Sequence, residues 1–436
     1  MSSEWPVVSI DEIKAPGAGS IAIGPFGSRM KSDCYVDAGV RVVRGTNLTG
    51  GRSFSGEFVF ITPEKAAELN SANLSPCDLV FPHRGAIGEV GIVPDDGERY
   101  VLSSSLMKLT CDVGRAKPDF IYYFFKSTVG RFELLKNSSQ VGTPGIGQPL
   151  TSLRQIKLSL PPVGEQQEIA AVLRALDDRI ALLRETNATL EAIAQALFKS
   201  WFVDFDPVRA KSQGLAPAGM DEATAALFPD GFEESTLGPI PRGWNIRSLD
   251  QIASYLNGLA LQKYPPTDGA WLPVIKIAQL RKGDTLGADR AGRNIKPEYI
   301  VRNGDVLFSW SGSLEVEVWC GGEGALNQHL FKVTSQHFPK WFYFWWTRHH
   351  LDRFRQIAAS KATTMGHIQR GHLSEAKVLV PPPELLDVMS ASAAPLLDRI
   401  TQNALHAQTL AEVRDTLLPR LISGQLRLPE AAAVAT

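Results

Sequence analysis

The sequence predicts an α+β protein: two similar mixed α/β domains, separated by two long antiparallel coiled-coil helices in a pseudo-twofold arrangement. Three observations carry this. The 436-residue chain repeats itself at an interval that drifts from 239 to 220 residues, far too long for a solenoid and right for two whole domains. A heptad pattern of apolar residues follows each copy. A Pro-Pro boundary, which cannot continue a strand or sit inside a helix without cost, stands between each copy and its heptads.

The repeat is legible segment by segment. WPVVSIDEI (5–13) is echoed by WNIRSLDQI (244–252), and VRVVRGTNLTGG (40–51) by LPVIKIAQLRKG (272–283). LSPCDLVFPHRGAIGEVGIV (74–93) parallels VRNGDVLFSWSGSLEVEVW (301–319), with Asp78 matching Asp305. VLSSSLMKLT (101–110) parallels ALNQHLFKVT (325–334), KPDFIYYFFKS (117–127) parallels PKWFYFWWTRH (339–349), and IKLSLPP (156–162) parallels AKVLVPP (376–382). Short β-rich runs bounded by Gly, Pro and Asn read as strands of a mixed sheet. The aromatic runs 120–125 and 341–346 read as one buried helix in each copy. The domains are placed at 1–160 and 243–380, the helices at 161–203 and 381–425, a connector at 204–242 and a tail at 426–436.

In the first helical segment Ile169, Leu173, Leu176, Ile180, Leu183, Asn187, Leu190, Ala194 and Leu197 alternate at spacings of four and three, an a/d seam through four heptads. The repeat predicts its partner in Met389, Ala393, Leu396, Ile400, Asn403, Ala407, Leu410, Arg414 and Leu417, with Pro395 kinking that helix or marking its start. Each seam read alone is an amphipathic helix packed on its own domain; matched seams after matched domains favour packing of one on the other. A helix from Glu165 to Trp201 would be roughly 54 Å long. Asn187 and Asn403 would weaken the seam and fix its register. The Pro-, Gly- and acid-rich connector reads as a segment laid over the surface, and Gly424 as a helix C-terminal glycine.

Composition, at 44% hydrophobic and 21% charged, is that of an ordinary globular protein. The net charge of −1 conceals segregation: residues 161–235 carry 6 basic and 13 acidic side chains, whereas 236–380 carry 18 and 11. Acid sits on the helical connectors, and the second domain is basic enough to face phosphates; residues 1–160, with 17 basic and 16 acidic side chains, are near neutral. The four cysteines are scattered with no CxxC pair, consistent with reduced thiols in the cytoplasm. No leader pattern and no apolar run long enough to span a membrane occur.

No GxxxxGK[ST] phosphate loop, no HExxH, no GxSxG elbow and no Asn/Asp-Pro-Pro-aromatic methyltransferase motif is found; the Pro-Pro pairs read LPPV and VPPP. The histidines show no metal-ligand spacing. The chain is therefore expected to be non-catalytic and to bind no metal or cofactor. A stand-alone methyltransferase or nuclease is disfavoured on these grounds. A structural adaptor that binds protein or sugar is the other alternative.

LEAIAQALFKSWFVDFDPV (190–208) followed by FPDGFEESTLGPIPRGW (228–244) resembles the central region of the specificity subunits of type I restriction–modification systems. RDTLLPRLISGQL (414–426) resembles their C-terminal region, LPPVGEQQEIAAVL (160–173) the start of their first spacer helix, and GPFGS (24–28) an early segment of their first recognition domain. The resemblance implies that each domain is a target recognition domain reading one half of a split double-stranded DNA target. It implies that the helices set the gap and dock two modification subunits, which methylate adenine using S-adenosylmethionine. Two restriction subunits would add ATP- and Mg-dependent translocation and cleavage; none of these cofactors is expected on this chain.

A DNA reader needs phosphate contacts that position it and base contacts that specify sequence. Polar and basic side chains on Gly-rich loops are the candidates: Arg29, Lys31, Arg44, Asn47, Arg52, His83, Arg84 and Gln148 in the first domain. In the second they are Lys276, Gln279, Arg281, Lys282, Ser309, Trp310, Ser311, Asn327, Gln328, His329, Lys361, Thr363, Thr364, His367 and Gln369. Of these, the paired positions His83-Arg84 and Trp310-Ser311, just after matching strands, are the first choice, with Trp310 expected to pack on its loop rather than stack on a base.

Overall fold

The computed structural model describes residues 5–26, 29–48, 51–139, 142–267, 269–360 and 366–428. The chain divides into two units, Met1–Arg179 with Leu410–Thr436, and Ile180–Thr409.

In the first unit a four-stranded antiparallel sheet has the spatial order Ile21–Ile23, Leu106–Leu109, Leu79–Pro82, Gly91–Ile92. Its strands are buried on both faces because alternate side chains enter different cores. Leu79, Phe81, Met107 and Leu109 pack with the aromatic helix Pro118–Lys126, while Val80 and Leu106 pack with a second, five-stranded sheet. That sheet runs Tyr35–Val36, Val59–Ile61, Val40–Val43, Tyr100–Leu102, Asn73–Leu74, with Val40–Val43 parallel to Tyr100–Leu102. Phe120 to Phe125 are all buried, as expected for a helix apolar on every side. Strand Val7–Ser9 pairs with Lys157–Ser159, joining the two ends of the domain.

The second unit repeats this plan. Its antiparallel sheet is ordered Ser254–Asn257, Leu330–Thr334, Val306–Ser309, Val316–Val318. In its second sheet Trp271–Ile275 lies parallel to Gly324–Leu326, and Asn245–Ser248 pairs with Lys377–Val380. The aromatic helix is Lys340–His349. Even an ion pair is duplicated: Lys108 reaches Asp78 at 3.0 Å and Lys332 reaches Asp305 at 2.8 Å. Each aspartate also accepts a backbone N–H three residues upstream, from Ser75 and Arg302, which closes the turn leading into the following strand.

The long helices are Val163–Phe202 and Pro383–Ile422, each of 40 residues. Within each unit they run antiparallel. In the first unit Arg414 meets Asp177 at 2.7 Å and Arg427 meets Glu165 at 2.5 Å, while Ile169 and Leu173 share a core with Leu417 and Leu421. In the second, Asn187 donates to the Ile400 carbonyl and Asn403 donates to Asn187 Oδ1, both at 2.9 Å. Of the remaining seam positions, Ile180, Leu183, Ala194 and Ala407 are buried, and Leu176, Leu190, Leu197, Ile400 and Leu410 are half-buried.

On the second seam Leu396 is half-buried beside buried Leu397, and Asn403 and Ala407 are buried again. Two expectations are corrected. Pro395 does not start its helix, which begins at Pro383; it lies within the helix and is exposed. The 204–242 connector is not merely laid over the surface. It forms helices Asp206–Ser212 and Glu222–Leu227 and a strand pair, and it inserts Val208, Phe228 and Ile240 into the second unit's core. Gly424, in the left-handed region with φ +71°, follows the second helix as expected.

Candidate nucleic-acid interface

In the first domain the strand register brings four segments to one end of the antiparallel sheet. The chain leaves Ile21–Ile23 at Gly24, whose N–H donates to the Leu106 carbonyl. A Cβ on Gly24 would lie 1.8 Å from the Ser103 carbonyl oxygen, so only glycine permits this approach. The chain leaves Leu79–Pro82 at His83, whose N–H donates to Ser105 and whose carbonyl accepts from Ile146. Arg84 bridges to Gly145, adding the 142–148 loop. From the other sheet, Val43 accepts the Ser103 N–H, bringing Arg44 and Asn47 to the same edge.

The second domain repeats these contacts residue for residue. Gly258 donates to Leu330, Trp310 donates to the His329 carbonyl, Asn327 donates to Ile275, and Ile368 donates to Trp310. Ser311 bridges to His367 where Arg84 bridges to Gly145. A Cβ on Gly258 would meet Asn327 O at 2.2 Å.

The sequence candidates divide into two groups on this frame. Arg29, Lys31, Arg84 and Gln148 are exposed in the first domain, as are Lys276, Arg281, Lys282 and Gln369 in the second. The Arg29 guanidinium reaches the Glu68 carbonyl at 3.4 Å, and Lys276 is paired with Asp289. The other group is buried and holds the loops. Asn47 donates to Ser55 and Glu57 carbonyls and accepts from Arg44 N–H; Gln279 accepts from Lys276 N–H at 3.3 Å in the matching turn. Half-buried Arg44 donates to the Glu57 carbonyl. Ser309 donates to the Ser313 carbonyl, and Asn327 Oδ1 accepts the His329 N–H. Arg52 is tied to Asp119. Lys361, Thr363 and Thr364 lie outside the described residues.

His83 is buried with Nε2 3.0 Å from the Ser104 carbonyl; burial first, and then the Arg84 charge, push its pKa below the ordinary histidine value. It is therefore a neutral prop under the loop. Trp310 packs: its indole N–H donates to Asn257 Oδ1 at 2.9 Å, and its ring lies against His329, Phe331 and His367. Gln328 Nε2 faces His329 Nε2, and His329 Nδ1 faces Ser311 Oγ at 2.9 Å.

Sequence reasoning missed uncharged Ser103 and Ser104 on a short turn, Asn257 at the end of its strand, and the paired glycines Gly24 and Gly258. The repeat held the signal for the glycines, since both follow the same strand. Among the described residues there is no group of three or more His, Cys, Asp or Glu side chains placed to hold a metal, and no helix long and apolar enough to cross a membrane.

The family model for the type I restriction modification DNA specificity domain matches residues 28–192 and again 241–414. The chain belongs to that family. Each match takes in one domain and most of the helix after it, so the family's unit is the repeat itself. The chain is 24% identical over 398 residues to the type I restriction enzyme HindI specificity subunit of Haemophilus influenzae, covering 80% of this chain and 86% of that one. It is 27% identical over 325 residues to the MjaIX specificity subunit of Methanocaldococcus jannaschii, covering 72% and 70%. In fold it is similar to the crystal structure of the type I system S subunit from M. genitalium, with TM-score 0.55, 14% identity and 96% of each chain covered. The chain is thus a specificity subunit of a type I restriction–modification system.

Proposed function

We propose that residues 1–160 and 243–380 are two DNA-reading heads, each applying its converged loop end to one half of a split double-stranded target. The helices 161–203 and 381–425 are the spacer that fixes the unread gap. The observation that carries this reading is the repetition, contact for contact, of one loop end in both units, with exposed Arg29, Lys31 and Arg84 on one and Arg281 and Lys282 on the other. Cations there bind phosphates without regard to sequence, and side chains among them reach base edges. Arg84 and Gln148 in the first head, and Gln328, His329 and His367 in the second, are the proposed base-reading set; Arg29, Lys31, Lys276, Arg281 and Lys361 position the backbone.

The chain itself performs no chemistry in this reading. Two modification subunits carry S-adenosylmethionine and methylate adenine; two restriction subunits, where present, carry ATP and Mg and act on unmethylated DNA. The assembly works in the cytoplasm. Sequencing of methylated adenines in the source genome, with and without the gene for this chain, tests the reading: a two-part motif that disappears with the gene supports it. Adenine methylation unchanged by loss of the gene refutes it.

A further inference from the structure

Phe26 is 58% exposed, and it stands at the converged end of the first head. The backbone that leads to it is anchored. Gly24 is held against Ser103 and Leu106 two residues earlier, and Pro25 restricts the backbone between them. The Phe26 ring lies 6.4 Å from the ring of His83, itself buried and bonded to Ser104 and Ser105. Three cations lie close to it in the chain or next to His83: Arg29, Lys31 and Arg84 are exposed, and none forms an ion pair among the described residues. A large exposed apolar side chain beside exposed cations fits a ligand that is anionic along its backbone and apolar between. Duplex DNA has that character through its phosphates, thymine methyls and base faces.

We infer that Phe26 makes a direct apolar contact to the bases of the half-site read by the first domain, and so contributes to specificity as well as affinity. This rests on the proposed DNA-reading role of the loop ends. The second domain has no equivalent: counting from Gly258, which matches Gly24, the corresponding residue is Ala260, half-buried. The contact is therefore confined to one half of the target.

The test uses the full chain assembled with its modification subunit. A duplex carrying the target identified by methylated-adenine sequencing is titrated across a range of salt with wild type, Phe26→Ala, Phe26→Trp and Lys31→Ala. Phe26→Ala is expected to lower target affinity on the order of tenfold. It leaves the slope of log K against log salt unchanged, because an apolar contact releases no counterion, whereas Lys31→Ala flattens it. Selection from a randomised duplex pool then shows Phe26→Ala relaxed in one half of the motif only, with Phe26→Trp close to wild type. The melting temperature of Phe26→Ala stays at the wild-type value, since the ring is exposed. Wild-type affinity and motif for Phe26→Ala, a flattened salt slope, or failure of that variant to assemble with the modification subunit overturns the inference. If the wild-type assembly itself does not bind the duplex, the DNA-reading role falls, and this inference with it.

Discussion

Replacing Asp78 with Asn should loosen the first head while leaving the second unchanged. The Asp78 carboxylate is fully buried and accepts from Ser75 N–H at 2.9 Å, Lys108 Nζ at 3.0 Å and Thr110 Oγ1 at 2.5 Å. The Lys108 ammonium is 9% exposed. Asparagine keeps the shape and one acceptor but leaves a buried cation without its counter-charge, a change that costs about 3–5 kcal/mol when one partner of a buried pair is lost. Retained hydrogen bonding puts this case near 3 kcal/mol. At Asp305 the pair is more open, 22% and 14% exposed on its two sides, so Asp305→Asn should cost about 1 kcal/mol. Native-state hydrogen exchange read by mass spectrometry resolves the two heads. Protection in Leu79–Pro82 and Leu106–Leu109 should fall on the order of a hundredfold for Asp78→Asn, with Val306–Ser309 and Leu330–Thr334 unaffected. Adding Lys108→Met should restore at least half the loss, since the stranded charge is then gone. A loss under about 1 kcal/mol, or equal loosening of both heads, would refute the reasoning.

Other expectations follow from the same geometry. Lys31→Ala should weaken binding to all duplexes alike and reduce the salt slope by about one, checked by anisotropy titration. Asn187→Ala strips the partner from buried Asn403 and should cost about 1–2 kcal/mol. The double change to Leu should melt at or above wild type if the pair sets register rather than stability, and calorimetry decides. Burial raises the Glu317 pKa to about 7, against the attraction of Arg348. The folded state therefore holds a proton that the unfolded chain, with its ordinary value of 4.5, releases. The resulting stability is complete below 4.5 and is lost as pH rises through 7. Glu317→Gln should stabilise the chain by about 3 kcal/mol at most at pH 8 and leave pH 4 unchanged; melting at both pH values tests it.

The duplication made most of the fold legible. Echoes such as LSPCDLVF and VRNGDVLF carried the matched aspartates, and the aromatic runs carried the buried helices. Less legible were features that depend on three-dimensional fit. A 4-3 count chose Leu396 and passed over its buried neighbour Leu397, whose burial depends on the core that the helix meets. Pro and Gly density in 204–242 concealed Val208 and Phe228, whose burial is set by a groove that the local sequence does not describe. At the converged loop ends, the charged candidates Arg29, Lys31 and Arg84 are exposed. Polarity alone did not separate them from Asn47, Gln279, Ser309 and Asn327, whose short side chains satisfy backbone groups inside the turns.

The claim on which the account depends is that two equivalent heads read two separate halves of one target. Its most direct test is the methylated-adenine motif of cells expressing this chain with its modification subunit, determined for wild type, Arg84→Ala and His329→Ala. The account predicts two short defined blocks across a fixed undefined gap, with Arg84→Ala blurring one block and His329→Ala the other. A single contiguous motif, or both substitutions degrading the same block, would contradict it.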